Sequence, residues 1–252
     1  MAVEESHHCP VCSGTGWKTI DQEGVRSVLR CDCFRRDKTE RLFRNALVPQ
    51  RYVACSFDNF NAITDRLKIA KTVALKFVDE YPLVDCGLLI IGPCGVGKTH
   101  LAVAILRELI SKHDALGIFY DFRDLLKKIQ NSYNTVSQTS EMEILEPVLD
   151  CEVLVLDDLG AERPTEWVRD TFAYILNSRY NRKLTTLITT NFSDERSDAR
   201  VLPDGNRVVR EETLEERIGT RIRSRLYEMC KVISVEGSDD FRIKVKQAQY
   251  RF

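Results

Sequence analysis

Long apolar runs are missing from this chain. None approaches the roughly 20 residues that a membrane-spanning helix needs, so no membrane role is expected. A dominant charge is missing too. The 252 residues carry 37 Lys and Arg against 38 Asp and Glu, a formal net charge of −1. Nothing global therefore draws the chain to nucleic acid or to an anionic surface. The opening Met1-Ala2-Val3-Glu4-Glu5 is acidic and has no apolar core of a leader, so no secretory signal is read and a cytoplasmic protein is expected. Internal repeats and low-complexity segments are absent, which sets aside solenoids and disordered tails. Cysteine, by contrast, is plentiful: nine, an odd number unevenly spaced. In a reducing compartment that argues for a metal cluster and scattered thiols rather than disulfides. The length allows one full α/β core and a small appendage.

The rest of the chain is organised around Gly92-Pro93-Cys94-Gly95-Val96-Gly97-Lys98-Thr99, which fits the phosphate-binding pattern G-x-x-x-x-G-K-[ST]. Leu88-Leu89-Ile90-Ile91 before it is a continuous apolar run, as in a strand buried on both faces. Leu101, Ala104, Ile105, Leu106, Leu109 and Ile110 after it lie mostly at helical spacing. A strand-to-helix turn of this kind curls its N–H groups around phosphate, and the helix N-terminus adds partial positive charge. Lys98 can reach the β- and γ-phosphates, and the Thr99 hydroxyl can ligate Mg²⁺. A nucleoside triphosphate is expected.

Further strands and helices follow. Asn61 to Tyr81 reads as a helix, with Ile63, Leu67, Ile69, Val73 and Phe77 at helical spacing. Gly117 to Phe122 reads as a second strand, and Leu125 to Leu149 as helices around a polar gap at Asn134–Ser140. Val153-Leu154-Val155-Leu156-Asp157-Asp158 reads as a strand ending in two acids, the Walker B pattern. Asp157 would hold Mg²⁺ and Asp158 would orient or deprotonate the attacking water, with Glu162 as a reserve acid. A helix from about Thr165 to Tyr180 precedes a β-rich run, Leu184 to Thr190, which ends in Asn191. If that strand lies between the P-loop and Walker B strands, Asn191 points at the γ-phosphate. Arg200 to Arg210 reads as a hairpin around Asp204-Gly205, and Lys231 to Val235 as a last strand. The 17 residues after it, 236–252, are too few for a helical lid domain.

One helix is expected from about Leu214 to Met229. Arg217, Arg221 and Arg225 are spaced four apart, offset by three from the apolar stripe Leu214, Ile218, Ile222 and Leu226. The two stripes would lie roughly 60° apart, so the arginines flank the buried face. They could cross a subunit edge to a neighbour's γ-phosphate, a known NTPase device. Alternatively they form a solvated face; within the helix only Arg225 has an acid, Glu228, at pairing distance.

Four cysteines fall early, as Cys9-x-x-Cys12 and Cys31-x-Cys33, separated by what reads as a β-hairpin. A hairpin brings its two ends together, and four thiolates around one Zn²⁺ make a closed structural site. So small a module would need the metal to fold. His7 and His8 could substitute as ligands or simply be solvated, and redox cysteines or a disulfide are the alternatives to zinc. Phe34 to Leu47 reads as a charged helix, and seven Arg and Lys against three acids from Arg30 to Arg51 give a local balance of +4. That stretch could dock a partner, touch phosphate or simply face solvent. Val48 to Tyr52 reads as a linker, dividing a zinc-binding, partner-docking module at 1–50 from an ATP-binding domain at 51–252.

The combined motifs resemble AAA+ ATPases of the bacterial replicative helicase loaders of the DnaC and DnaI type, with the related transposition ATPase IstB. The matching residues are Gly92 to Thr99 with His100-Leu101-Ala102, Leu156 to Glu162, Arg179-Tyr180, Thr189-Thr190-Asn191 and Arg221-x-x-Ser224-Arg225-Leu226. The resemblance covers about Tyr52 to Arg242. It implies an αβα sandwich around a five-stranded parallel sheet of order 5-1-4-3-2, with a reduced or absent lid. It implies nucleotide binding by residues 92–100, with Lys98, Asp157, Asp158, Asn191, Arg221 and Arg225 as catalytic groups. Subunits would self-associate through ATP interfaces, Arg225 completing the neighbour's site with Arg221 beside it. The partners implied are the replicative helicase, held by the cysteine module, and single-stranded DNA, met by Lys127, Lys128 and Tyr133. Asp158 stands where many AAA+ proteins have Glu, which together with the missing lid implies slow turnover, a switch rather than a motor. A transposase partner is the alternative. A small-molecule kinase would need a substrate pocket and lid that the sequence does not show.

Overall fold

The protein is described by a computed structural model over residues 9–22, 25–84, 86–134, 139–194, 200–201, 208–209 and 212–236. It begins with strands β1 (Trp17–Gln22) and β2 (Val25–Arg30) and helices α1 (Asp32–Asn45) and α2 (Asp65–Glu80). Strand β3 (Gly87–Ile91), helix α3 (Lys98–His113), strand β4 (Gly117–Asp121) and helices α4 (Phe122–Ser132) and α5 (Glu141–Asp150) follow. Next come β5 (Val153–Leu159), α6 (Glu166–Asn181) and β6 (Thr185–Thr190). The short strands β7 (Arg200–Val201) and β8 (Val208–Val209), helices α7 (Leu214–Ile218) and α8 (Thr220–Met229), and β9 (Cys230–Ser234) complete it.

Five strands form one parallel sheet in the order β4-β5-β6-β3-β9. Numbered from the P-loop strand this is 5-1-4-3-2, as the resemblance implies. The apolar runs of β3, β5 and β6 are buried on both faces, and alternate residues divide between two cores. Leu88, Ile90, Val153, Val155 and Leu187 face α2 and α3. Leu89, Leu154, Leu156 and Ile188 face α4, α5, α6 and α8, together with Phe172, Ile175 and Leu226. The result is a three-layer αβα sandwich. Side-chain caps start the helices where the sequence changes period. Asp121, the last residue of β4, accepts N–H bonds from Arg123 and Asp124, and Ser140 with Glu143 makes a capping box on α5. Among the described residues no helix is long and apolar enough to cross a membrane.

Three expectations are corrected. On α2 the buried stripe is Leu67, Ala70, Ala74, Phe77 and Val78, while Ile63, Ile69 and Val73 are exposed. Ile69 and Val73 stand two and six residues past Leu67, which puts them on the far side of a 3.6-residue turn. The expected single helix 214–229 is two helices. Gly219 adopts φ 86° between α7 and α8, a conformation unfavourable for other residues, so the three-arginine stripe is broken and only Arg221 and Arg225 share a helix. The expected linker packs on the core: Val48 and Tyr52 lie against it, and just before them Phe43 and Ala46 are buried in it, the Phe119 N–H donating to the Ala46 carbonyl at 2.8 Å. The 200–210 hairpin is present as the antiparallel pair β7 and β8, its tip lying outside the described residues. His7, His8 and residues 237–252, where a lid would begin, also lie outside them.

Candidate nucleotide site and cysteine cluster

The P-loop joins β3 to α3 at the carboxyl ends of the parallel strands, where open α/β sheets bind ligands. Two of its glycines are required by geometry. A Cβ on Gly92 would lie 2.0 Å from the Val235 carbonyl oxygen, because the end of β9 crosses there. Gly97 takes φ 99° to start α3, and a Cβ on it would press against the Phe60 ring at 3.1 Å. Lys98 is buried, and its Nζ donates to the Pro93 carbonyl at 2.7 Å and to Asn191 Oδ1 at 2.6 Å. The Thr99 hydroxyl donates to Asp157 Oδ2 at 3.1 Å.

The two Walker B acids are held differently. Asp157 is buried and also accepts the Thr189 hydroxyl at 2.6 Å. Burial holds its pKa above the ordinary carboxylate value, the Thr189 and Thr99 hydroxyls oppose this, and the charges of Asp158 and Asp121 reinforce it. A divalent cation beside it would supply the charge that this carboxylate lacks. Asp158 has φ 60°, a left-handed conformation that turns its side chain out of the strand. Its N–H donates to the Thr189 hydroxyl at 2.9 Å, and its Oδ1 accepts Asn191 Nδ2 at 2.7 Å. Asn191 thus bridges the P-loop lysine and the second acid, as its place at the end of a central strand allows. Thr189 was not singled out for a role. Its sequence signal is only a hydroxyl on a buried strand next to the acids.

Other expected residues are placed elsewhere. The His100 ring is turned away to the 54–60 loop, Nε2 lying 3.0 Å from the Ser56 carbonyl and the ring packed edge-on to Phe60. Glu162 pairs with Arg123 at 3.2 Å, and its carbonyl accepts Arg217. Arg217 also pairs with Glu212 and covers the Phe192 ring at 4.7 Å, so it has the acidic partner that the helix itself could not offer. Arg225 donates to Asn177 Oδ1 and lies over the Tyr180 ring, while Glu228 accepts from the Tyr180 hydroxyl instead of pairing with Arg225. Arg221 is exposed and makes no hydrogen bond or ion pair to the described residues. In the α4–α5 segment Lys127, Lys128 and Tyr133 are exposed, and the Tyr133 hydroxyl donates to Glu141 at 2.9 Å.

Arg179 is fully buried at the opposite, amino-terminal end of the sheet. It donates to the Thr186 hydroxyl and to the carbonyls of Val148, Cys151 and Thr185 at 2.6–2.9 Å. The guanidinium therefore caps the negative end of α5 and ties it to β6, which offsets its desolvation without a carboxylate. The family resemblance marks Arg179 by its motif, but spacing on the helix does not reveal that it is buried among carbonyls.

The hairpin of β1 and β2 brings Cys9, Cys12, Cys31 and Cys33 together, with all four Sγ atoms within 4.8 Å of one another. Cys9 and Cys31 are 3.8 Å apart and Cys12 and Cys33 are 3.4 Å apart. Zinc–sulfur bonds of about 2.3 Å in a tetrahedron require sulfurs about 3.8 Å apart, so the donor set fits. The Gly16 N–H donates to Cys12 Sγ at 3.3 Å, an outer bond of the kind that supports a thiolate ligand. Burial pushes the Cys12 pKa up, but the Cys33 thiol and the Gly16 N–H outweigh it and bring the value down to about 6.

A family model for IstB-like ATP binding proteins matches residues 22–249. The replicative helicase loader DnaI of Bacillus subtilis is 29% identical over 214 residues, covering 77% of this chain and 67% of the relative. The replicative helicase loader DnaC of Escherichia coli is 25% identical over 185 residues, 72% of this chain and 75% of the relative. A crystal structure of the DnaC helicase loader superposes with a TM-score of 0.62 at 34% identity, covering 74% of this chain and 99% of that one. The sheet order, the P-loop facing two acids at the strand ends, and a match across most of the length lead to one assignment: the chain belongs to the IstB-like ATP binding proteins, an AAA+ family, and is of the DnaC and DnaI type.

Proposed function

We propose that this chain is an ATP-controlled loader of a replicative DNA helicase. The observation that carries the reading is the bonded chain Lys98–Asn191–Asp158 beside Thr99–Asp157. A γ-phosphate arriving at Lys98 must displace or share the Asn191 contact, and Asn191 is also what holds Asp158. Occupancy and the position of the second acid are therefore one event. Residues 92–99 would cradle the triphosphate, and Thr99 and Asp157 would ligate Mg²⁺, which supplies charge neutralisation when bound. Asp158 would orient the attacking water. Its side chain is one methylene shorter than Glu, which favours slow hydrolysis and a switch-like ATPase.

The likeness to the DnaI and DnaC loaders supports a replicative helicase as partner. The four-cysteine module would hold Zn²⁺ through Cys9, Cys12, Cys31 and Cys33, and with the α1 region, residues 1–50, would carry the helicase-docking surface ahead of the 51–252 ATPase unit. Lys127, Lys128 and Tyr133 would contact single-stranded DNA through charge and stacking. Copies would associate through their ATP sites, Arg221 and Arg225 reaching a neighbour's γ-phosphate, and the setting would be cytoplasmic. Arg221 has no partner among the described residues; Arg225 must first leave Asn177. Pull-down from the host with and without ATP tests the reading. Recovery of the replicative helicase, changed by ATP, is expected. Recovery of a transposase would favour the second reading, which the IstB-like family match supports. ATP consumption driven by a small metabolite and indifferent to DNA would defeat both.

A further inference from the structure

Residues 191–194 form a strap from the nucleotide side of the sheet to α8. Asn191 bonds Lys98 and Asp158. Phe192 packs between Gly160, where a Cβ would lie 2.8 Å from its ring, and the guanidinium of Arg217. The Ser193 carbonyl accepts the Leu214 N–H at 3.0 Å, fixing the start of α7. Asp194 then accepts both Nε and Nη2 of Arg223 on α8, each at 2.7 Å. The Asp194 side chain is only 16% exposed and that of Arg223 35%, so this pair is screened less than the surface pairs around it. Burial pushes Asp194 towards its neutral form, but Arg223 and the Tyr227 hydroxyl more than offset this and hold its pKa below the usual carboxylate value.

The position of Arg223 on α8 matters. It lies two residues from Arg221 and two from Arg225. At about 100° per residue it points roughly 200° away from both. The face that grips Asp194 is therefore the back of the face that carries the two arginines. Gly219 breaks the helix just before, so continuity with α7 does not set the aim of α8. Buried Leu226 and Met229 and the run into β9 anchor its carboxyl end; at its amino end Arg223 meets Asp194 of the strap at 2.7 Å, with Glu215 of α7 more distant at 4.0 Å.

We infer that the Asp194–Arg223 pair is a positioning element that aims Arg221 and Arg225 according to the nucleotide state sensed at Asn191. Each chain thereby offers its arginines to a neighbour only when its own site is engaged. The inference rests on the proposed role of those arginines across a subunit edge. Asp194 touches neither nucleotide nor water; it acts through α8.

The test uses the full-length chain with ATP, Mg²⁺ and single-stranded DNA. Asp194→Asn removes the charge at constant shape, and Arg223→Gln removes it from the other side. Each should lower the DNA-stimulated kcat roughly tenfold or more, as a small misplacement of a catalytic group does. Affinity for a fluorescent ATP analogue should stay within about twofold, because no group in the nucleotide cradle changes. The double variant should lose no more than either single one. Mixing decides the direction of action. An Asp158→Asn chain binds ATP without hydrolysing it, so its site is engaged and its arginines are intact. Equal mixing with Asp194→Asn should restore roughly a quarter of the wild-type rate, the share of head-to-tail interfaces that pair a good site with a good donor. Arg225→Ala, mixed in the same way, is the control. If Arg225→Ala is rescued and Asp194→Asn is not, Asp194 acts within its own site and the inference fails while the loader reading stands. If neither is rescued, the arginines do not act across subunits, and the inference falls with the trans role on which it rests. A wild-type rate in Asp194→Asn alone also overturns the inference.

Discussion

Lys98 Nζ stands 2.6 Å from Asn191 Oδ1, across 93 residues of sequence. The contact joins the phosphate-binding lysine to the end of the neighbouring parallel strand, and through the Asn191 amide to Asp158. In the proposed mechanism the lysine would be a sensor as well as a clamp. Asn191→Ala should leave ATP affinity nearly intact, because the P-loop amides and Lys98 remain. Hydrolysis should fall roughly 10²-fold, the usual cost of one aligned donor in a transition state. Single-turnover rates at saturating ATP measure this. A rate unchanged from wild type would remove Asn191 from the mechanism.

Asp158 is the residue for which shape and charge can be separated. Its left-handed backbone is one that asparagine also tolerates. Asp158→Asn should therefore fold normally, bind ATP and Mg²⁺, and lose about 10²- to 10⁴-fold in hydrolysis. Melting curves with and without nucleotide separate the two effects. A stable variant that still hydrolyses ATP would move the base elsewhere.

The cysteine cluster should carry about one zinc per chain. Changing Cys12 and Cys31 to Ser together removes one ligand from each pair of neighbouring sulfurs. Metal analysis should show the zinc gone, while ATP binding persists because the P-loop lies in a different part of the structure. Because Cys12 is brought down to about 6, it is mostly thiolate at neutral pH even without metal. Zinc must also displace protons from the other thiols, and the Cys12 side chain pushes Cys33 up, so metal uptake should weaken steadily as pH falls through and below neutrality. Zinc kept by the double variant would disprove the site.

Arg179 makes a stability prediction free of catalysis. Arg179→Ala would take the guanidinium donor away from the buried carbonyls of Val148, Cys151 and Thr185. The expected loss is about 3 kcal/mol or more in urea unfolding. Arg179→Lys should recover only part of it, because an ammonium lacks the planar fork. A loss below about 1 kcal/mol would mean that water enters and replaces the guanidinium.

The resemblance and the motifs already carried much of the fold. Continuous apolar runs ending in Gly92 and Asp157 and a β-rich run ending in Asn191 mark strands buried on both faces, and that pattern survives in the structure because a parallel sheet covered by helices leaves few alternatives. Errors came where periodicity alone was used. On α2 helical spacing alone does not pick the buried face: the small Ala70 and Ala74 mark the closer approach, not Ile69 and Val73. The run from Leu214 to Met229 was given one helical period, although Gly219 lay inside it. The linker was read from Pro49, yet Phe43 and Ala46 before it belong to the core.

By itself the sequence determined which chemical groups are present and which local turns they occupy: a phosphate loop, an acidic strand end and two cysteine pairs at either end of a hairpin. These are short-range properties, set by backbone conformation and residue type within a few positions. Only the tertiary structure decided who meets whom. It turned His100 aside, buried Arg179 among carbonyls, gave Arg217 an acid from outside its helix, and ran the strap from Asn191 to Arg223. The physical reason is that hydrogen bonds and ion pairs act over a few ångströms. Partners far apart in sequence become neighbours only once the sheet order is fixed, and that order is a property of the whole packed core.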